Sequence, residues 1–178
     1  MTETDEMLVQ NIKTGAINNY DTLMHRYQED IYYIAFQYTK AKEQALDVSQ
    51  NIFLKAYNSI HRFESRSSFK TWLFRIAYNE CQNWIKKNKR MTHEDFEMRI
   101  DNAPNQEEQL LTKEQRLLIL RSLYQLNTKY RLAIVLRYFK NHSIKEISEI
   151  IGCSEGVVKN MLFRSLQKLK TILNKDVV

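Results

Sequence analysis

The sequence predicts an all-α protein of two small helical domains joined by a flexible linker. Three observations predict it. The 178 residues include 3 glycines and 1 proline, and all-β folds use both residue types heavily in turns. Apolar residues make up 43% of the chain, enough for packed cores, and they recur at the helical period in segment after segment. The single proline, Pro104, lies in a polar stretch with Asp101, Asn102, Asn105, Gln106, Glu107 and Glu108, where that period fades. Domains at 1–90 and 113–178 with a linker at 91–112 follow. Fully extended, the linker spans roughly 70 Å, so two modules can occupy separated sites on one ligand.

Taken in order, 7–13 reads as a short helix through Leu8 and Ile12. Asn18 and Asn19 suit a turn or cap. The next helix covers about 20–39, with Leu23, Tyr27, Ile31, Ile34 and Tyr38 on the period. A polar break at 40–44 leads to a helix at 45–60. One of its stripes is apolar: Val48, Ile52, Phe53, Ala56, Tyr57 and Ile60. The opposite stripe carries Asp47, Gln50, Asn51, Leu54 and Asn58. A leucine ringed by Asp, Gln and Asn has the make-up of a small docking face; an ordinary solvated face is the other reading.

The stretch 63–90 holds more. A polar loop, Glu64, Ser65, Arg66, Ser67 and Ser68, leads into a helix at about 68–87 that is dense in aromatics: Phe69, Trp72, Phe74, Tyr78 and Trp84. Ser67 or Ser68 can cap it. A basic end follows: Lys86, Lys87, Lys89 and Arg90. Cations track phosphates and aromatic faces stack on unpaired bases, so this is a candidate single-strand binder. A core helix with a solvated basic end is the alternative. Phe69, Leu73, Ile76, Ala77 and Trp84 form a core face. Arg75, Asn79, Gln82, Asn83 and Lys86 form a hydrogen-bonding, cationic stripe without a carboxylate, Glu80 lying off it. The net charge is +6. It is uneven, because the N-terminal stretch is acidic through Glu3, Asp5, Glu6, Asp21, Glu29 and Asp30, which points to one charged face.

In the C-terminal part, 113–126 is amphipathic through Leu117, Leu118, Ile119, Leu120 and Leu123, and 130–139 through Leu132, Ile134, Val135 and Tyr138. Ser143 and Glu146 make a capping box. Ile144, Ile147, Ile150 and Ile151 follow as an apolar side. Gly152 falls where a tight turn needs positive φ, and Ser154 can cap the next helix, which is expected to bury Val157, Val158, Met161, Leu162 and Leu166. Two capped helices across a glycine turn make a helix-turn-helix; an αα-hairpin in a bundle is the other reading. Such a second helix enters the major groove with Ser154, Glu155, Lys159, Asn160 and Arg164 outward.

Other chemistries lack their residues. Cys81 and Cys153 stand apart with no CxxC, so neither a disulfide framework nor a zinc site is expected. His25, His61, His93 and His142 are scattered. No Gly-rich phosphate loop and no Ser/His/Asp arrangement occurs, so neither catalysis nor a cofactor or metal is expected. The acidic start MTETDEMLVQ is no signal peptide, and no apolar run is long enough to span a bilayer. A cytoplasmic protein without direct membrane insertion is the expectation.

The strings FKTWLFRIAYNE and SEGVVKNMLFRS carry a resemblance. DVSQNIFLKAYNSIHRFESRSSFKTWLFRIAYNECQNWIKKNKR is similar to region 2 of bacterial RNA polymerase sigma factors, and LNTKYRLAIVLRYFKNHSIKEISEIIGCSEGVVKNMLFRSLQKLK to region 4. The order and short acidic linker resemble the extracytoplasmic-function (ECF) group. The resemblance implies a subunit that binds core RNA polymerase (its β′ clamp helices and β subunit) and promoter DNA. It places Asp47 and Gln50 at the clamp helices, with Asn51 and Leu54 as helpers. It assigns the −10 element to the loop 61–68 and the following helix, through Arg62, Glu64, Ser65, Arg66, Ser67, Ser68, Arg75, Asn79, Asn83 and Lys86. Asn79 stands where the family places a base-contacting polar residue. It assigns the −35 element to the second helix of the helix-turn-helix. It also implies an anti-sigma factor, in the family usually membrane-anchored. Two positions depart from the family pattern. Asn127 stands where proline is frequent, and asparagine can cap a helix there. Ser148 stands where alanine is usual, so its hydroxyl needs a bond, expected at a carbonyl four residues back. A stand-alone helix-turn-helix regulator and a helical adaptor for proteins are the other functional readings.

Overall fold

The computed structural model describes residues 3–88 and 113–176. The helices are α1 (Asp5–Lys13), α2 (Asn19–Thr39), α3 (Lys42–Ser59) with a 3-10 turn at Ile60–Arg62, and α4 (Phe69–Lys87). They continue with α5 (Lys113–Tyr124), α6 (Thr128–Ile134) running into a π-helical turn at Val135–Phe139, α7 (Ile144–Ile151) and α8 (Glu155–Asp176). No strand occurs among the described residues. Two compact units result, one built on α1–α4 and one on α5, α6, α8 and the start of α7. The expected linker 91–112, the cations Lys89 and Arg90 and the side chain of Leu117 lie outside the described residues.

In the first unit α2, α3 and α4 pack on one another and α1 lies across α2 and α4. Leu23 and Ile31 of α2, Ile52 of α3 and Phe69, Leu73 and Phe74 of α4 are fully buried together with Leu8 and Ile12 of α1. Each such side chain stabilises by about 1.5–3 kcal/mol relative to exposure. Polar bonds fasten α1. The Asp5 carboxylate accepts from Arg26 Nη1 at 2.8 Å and from the Tyr27 hydroxyl, and Lys13 Nζ donates to the Phe63 carbonyl. The break at 40–44 is shorter than the pattern suggests: Lys40 takes the left-handed conformation, φ 58°, and α3 starts at Lys42.

This unit is expected to weaken in alkali. Burial pushes the Cys81 thiol from 9.0 up to about 12. Burial also raises the Tyr20 and Tyr27 phenols above their ordinary 10.0, Tyr27 further through its bond to Asp5. The folded state therefore keeps protons that the unfolded chain releases. Stability is intact below about pH 9 and is lost as pH rises through the Cys81 and then the tyrosine range. The urea midpoint of the intact chain should fall between pH 8.5 and about 11, and Cys81→Ala should flatten the first part of that fall. A midpoint constant to pH 11 would contradict this.

In the second unit Asn127 caps α6, its Oδ1 accepting from the Lys129 N–H at 3.1 Å. Arg131 is buried. Its Nη1 donates to the carbonyls of Tyr124 at 3.2 Å and Leu126 at 3.5 Å, and its guanidinium lies 4.6 Å from the Tyr124 ring centroid. A buried cation is tolerable when paired in this way, and here it satisfies carbonyls that the end of α5 leaves open. The capping box closes in both directions: the Glu146 N–H donates to Ser143 Oγ at 3.2 Å and the Ser143 N–H to Glu146 Oε2 at 2.7 Å. Gly152 has φ +70°, and Ser154 Oγ accepts from the Val157 N–H at 3.4 Å.

Four expectations change. On α8 the buried stripe is Val158, Met161, Leu162 and Ser165, while Val157 and Leu166 are exposed; at 100° per residue these two lie at opposite edges of the stripe, about 100° and 80° around the helix from Val158. Tyr138 is exposed, because the chain leaves α6 through a π-helical turn that shifts the helical register. Of the expected α4 core face, Ile76 and Trp84 are only half-buried, whereas Phe74, Tyr78 and Cys81 are buried. The Ser148 hydroxyl donates to the Lys145 carbonyl, three residues back, at 2.7 Å.

Candidate polymerase and nucleic-acid interfaces

Asp47, Gln50, Asn51 and Leu54 share one side of α3 at the spacing i, i+3, i+4 and i+7, and all four are exposed, Leu54 to 58%. The cause is the buried side of α3, Ala45, Val48, Ile52 and Ala56, which turns these residues outward. Leu46, 52% exposed, flanks Asp47 and enlarges the apolar part of this face. Helical periodicity had left Leu46 unassigned; its signal was a leucine lying off the apolar stripe.

The loop after the 3-10 turn is pinned at both ends by aromatics. Phe63 and Phe69 are buried with ring centroids 6.0 Å apart, and Trp72 packs on both, at 5.2 and 5.7 Å. Between them Glu64, Ser65, Arg66 and Ser68 are exposed and Ser67 is half-buried, with Ser65 left-handed at φ 55°. Arg62, just before, is exposed too. Arg66 and Glu64 pair at 2.6 Å with both side chains mostly in solvent. Such a pair contributes little, so a phosphate can take the guanidinium over. Ser68 is used locally: its Oγ accepts from the Thr71 N–H at 3.1 Å and donates to Thr71 Oγ1 at 2.9 Å, capping α4.

On α4, Arg75, Asn79, Asn83 and Lys86 are all exposed along one side. Three of the aromatics face the other way, while Trp72, three residues before Arg75, and Trp84 are half-buried. Phe69, Phe74 and Tyr78 are buried, and Trp72 belongs to the Phe63–Phe69 cluster. Most of the ring area of this helix is thus core, as the alternative reading had it, and its fully exposed residues are amide and cation. Hydrophobic burial claims the rings, since a buried Phe gains more than an exposed one.

On α8, Ser154, Glu155, Lys159, Asn160 and Arg164 are exposed, as is Phe163 to 62%. Phe163 was missed in the sequence, where its place one residue beyond the buried Leu162 was the available signal. Its ring lies three residues beyond Asn160 and four beyond Lys159, on the same side of the helix. Among the described residues no group of three His, Cys, Asp or Glu could hold a metal ion, and no helix is long and apolar enough to cross a membrane.

Helical units with the capped helices α7 and α8 joined by a glycine turn have the make-up of a helix-turn-helix DNA-binding protein. Residues 23–91 match the family model of sigma-70 region 2, and residues 116–169 that of sigma-70 region 4. The ECF RNA polymerase sigma-E factor of Escherichia coli K12 is 30% identical over 177 residues, covering 93% of this chain and 92% of that protein. The RNA polymerase sigma-H factor of Pseudomonas aeruginosa is 29% identical over 182 residues, covering 96% and 94%. In fold, the chain is similar to CnrH in its complex with the cytosolic domain of CnrY (TM-score 0.71, 22% identity, 98% and 99% covered). It is also similar to the sigma factor RpoE of Bartonella quintana in complex with the anti-sigma factor NepR (TM-score 0.70, 23% identity, 88% and 97% covered). The chain belongs to the ECF group of RNA polymerase sigma factors, and its function is promoter-specific initiation of transcription.

Proposed function

We propose that this chain divides that function among three surfaces. The face of α3 with Asp47, Gln50, Asn51 and Leu54 docks on the β′ clamp helices of core RNA polymerase, Leu46 adding apolar area. The loop with Arg62, Glu64, Ser65, Arg66 and Ser67, and the α4 stripe of Arg75, Asn79, Asn83 and Lys86, take the non-template strand of the −10 element. The start of α8, through Glu155, Lys159 and Asn160, reads the −35 element, with Arg164 further along the helix holding the DNA backbone, while Ser154 caps that helix. The domains are 1–90 and 113–178, with 91–112 linking the two promoter sites. No residue is assigned a catalytic role, and the protein acts in the cytoplasm. An anti-sigma factor that covers these faces is the regulatory partner, as the CnrH and RpoE complexes suggest by likeness.

The carrying observation is that the α3 docking face and the α4 stripe are exposed on two helices that pack against each other. A stand-alone regulator needs only the helix-turn-helix. The burial of the α4 aromatics bears on melting. Extruding a base costs a few kcal/mol, and aromatic stacking returns about 1–3 kcal/mol per base. The buried rings of Phe69, Phe74 and Tyr78 supply none of that return, so strand capture here relies chiefly on hydrogen bonds, cations and the polymerase. Run-off transcription with purified core polymerase and a promoter library tests the reading. Sequence-selective initiation should require both core and this chain. Tight duplex binding by the chain alone, with no initiation on any promoter, would favour the stand-alone regulator.

A further inference from the structure

Glu80 is a carboxylate beside a surface proposed to meet DNA, where an unshielded negative charge would repel phosphate. It is tucked against α3. Its side chain is 17% exposed, and its Oε1 accepts from Lys55 Nζ at 2.5 Å. The same oxygen accepts from Asn83 Nδ2 at 3.2 Å. Lys55 thus neutralises Glu80 from the neighbouring helix, and Glu80 holds Asn83. The hold has a direction. A carboxylate only accepts, so the Asn83 amide must turn its NH2 toward Glu80, which leaves Oδ1 as the atom presented away from it on the exposed side. The neutral amide alone could present either group.

We infer that Glu80 is a positioning residue that sets a base preference: by fixing Asn83 with its carbonyl oxygen outward, it makes this point of the α4 stripe an acceptor that, facing the 4- or 6-position of a base, selects the amino group of adenine or cytosine over the carbonyl of guanine or thymine. At that position adenine (N6) and cytosine (N4) carry an amino donor, whereas guanine (O6) and thymine (O4) carry an acceptor that an amide oxygen repels. This inference rests on the proposed contact between the α4 stripe and the −10 strand.

The test uses holoenzyme reconstituted from core polymerase and the full chain, on a promoter library randomised across the −10 element, with transcripts sequenced. Glu80→Gln keeps the shape but can donate as well as accept, so Asn83 is free to turn over. Glu80→Ala removes the tether. Both are expected to reduce the amino-base preference at one −10 position by about tenfold, and Asn83→Ala to abolish it at that same position. If Asn83→Ala erases a preference that Glu80→Gln and Glu80→Ala leave intact, the stripe contacts DNA but the positioning role is wrong. If Asn83→Ala and Arg75→Ala change neither preference nor output, the stripe does not contact the strand and both ideas fall. A loss from the Glu80 variants that is equal across the whole library marks a structural role only and also overturns the inference.

Discussion

Replacing Asp47 and Leu54 together with alanine is expected to weaken core-polymerase binding about a hundredfold and leave the helical fold intact. The size follows from how interfaces concentrate energy: truncating a central anchor costs about 2 kcal/mol or more, and about 2.7 kcal/mol is a factor of a hundred. Leu54 is the only large apolar side chain among the four docking residues, and its 58% exposure in the free protein is area for a partner to cover. Asp47 adds a charge that sets orientation and on-rate. The fold should not suffer, since both side chains point away from Ala45, Val48, Ile52 and Ala56, and alanine is the best helix former. Gln50→Ala should add a smaller loss. Fluorescence anisotropy of labelled chain titrated with core polymerase measures the effect, and far-ultraviolet circular dichroism checks the fold. An unchanged dissociation constant in the double variant would mean that the docking face lies elsewhere.

What could be read in the sequence was local chemistry. Ser68, Asn127, Ser143, Glu146 and Gly152 each do in the structure what their type and position suggested, because a cap or a glycine turn is decided within three or four residues. The exposure of Asp47, Gln50, Asn51 and Leu54 was legible for a related reason, since a clean apolar stripe on the opposite side of α3 fixes the outward face. What escaped depends on distant partners. Arg131 looks like any helical cation until the end of α5 brings the Tyr124 and Leu126 carbonyls to it. The Lys55–Glu80 pair joins residues 25 apart in sequence. Periodicity put Phe69 on the core face of α4 but left out Phe74, which is buried against the Tyr27 ring of α2. Val157, Phe163 and Leu166 show the limit of periodicity: one residue's error in phase moves a side chain by 100° around a helix and turns a core position into a surface one.

The arrangement of α8 yields the second large effect, and it separates two jobs on one helix. Asn160 lies near the N-terminal end, the part that enters the major groove in helix-turn-helix proteins. Arg164 lies ten residues beyond Ser154, roughly 15 Å along the axis, where a helix entering by its end has passed the base edges and meets the backbone. Arg164→Ala is therefore expected to weaken holoenzyme binding to −35 duplexes about tenfold, as loss of a hydrogen bond to a charged group does, and to do so equally for every −35 sequence. The slope of log affinity against log salt should become shallower by about one. Asn160→Ala should instead leave the slope unchanged and relax the preference at one base pair, by about tenfold. Affinity titrations at several salt concentrations on the preferred site and its single-base variants distinguish the two. If Arg164→Ala relaxes one position and leaves the slope unchanged, Arg164 reads a base and α8 lies deeper along the groove than its N-terminal entry implies.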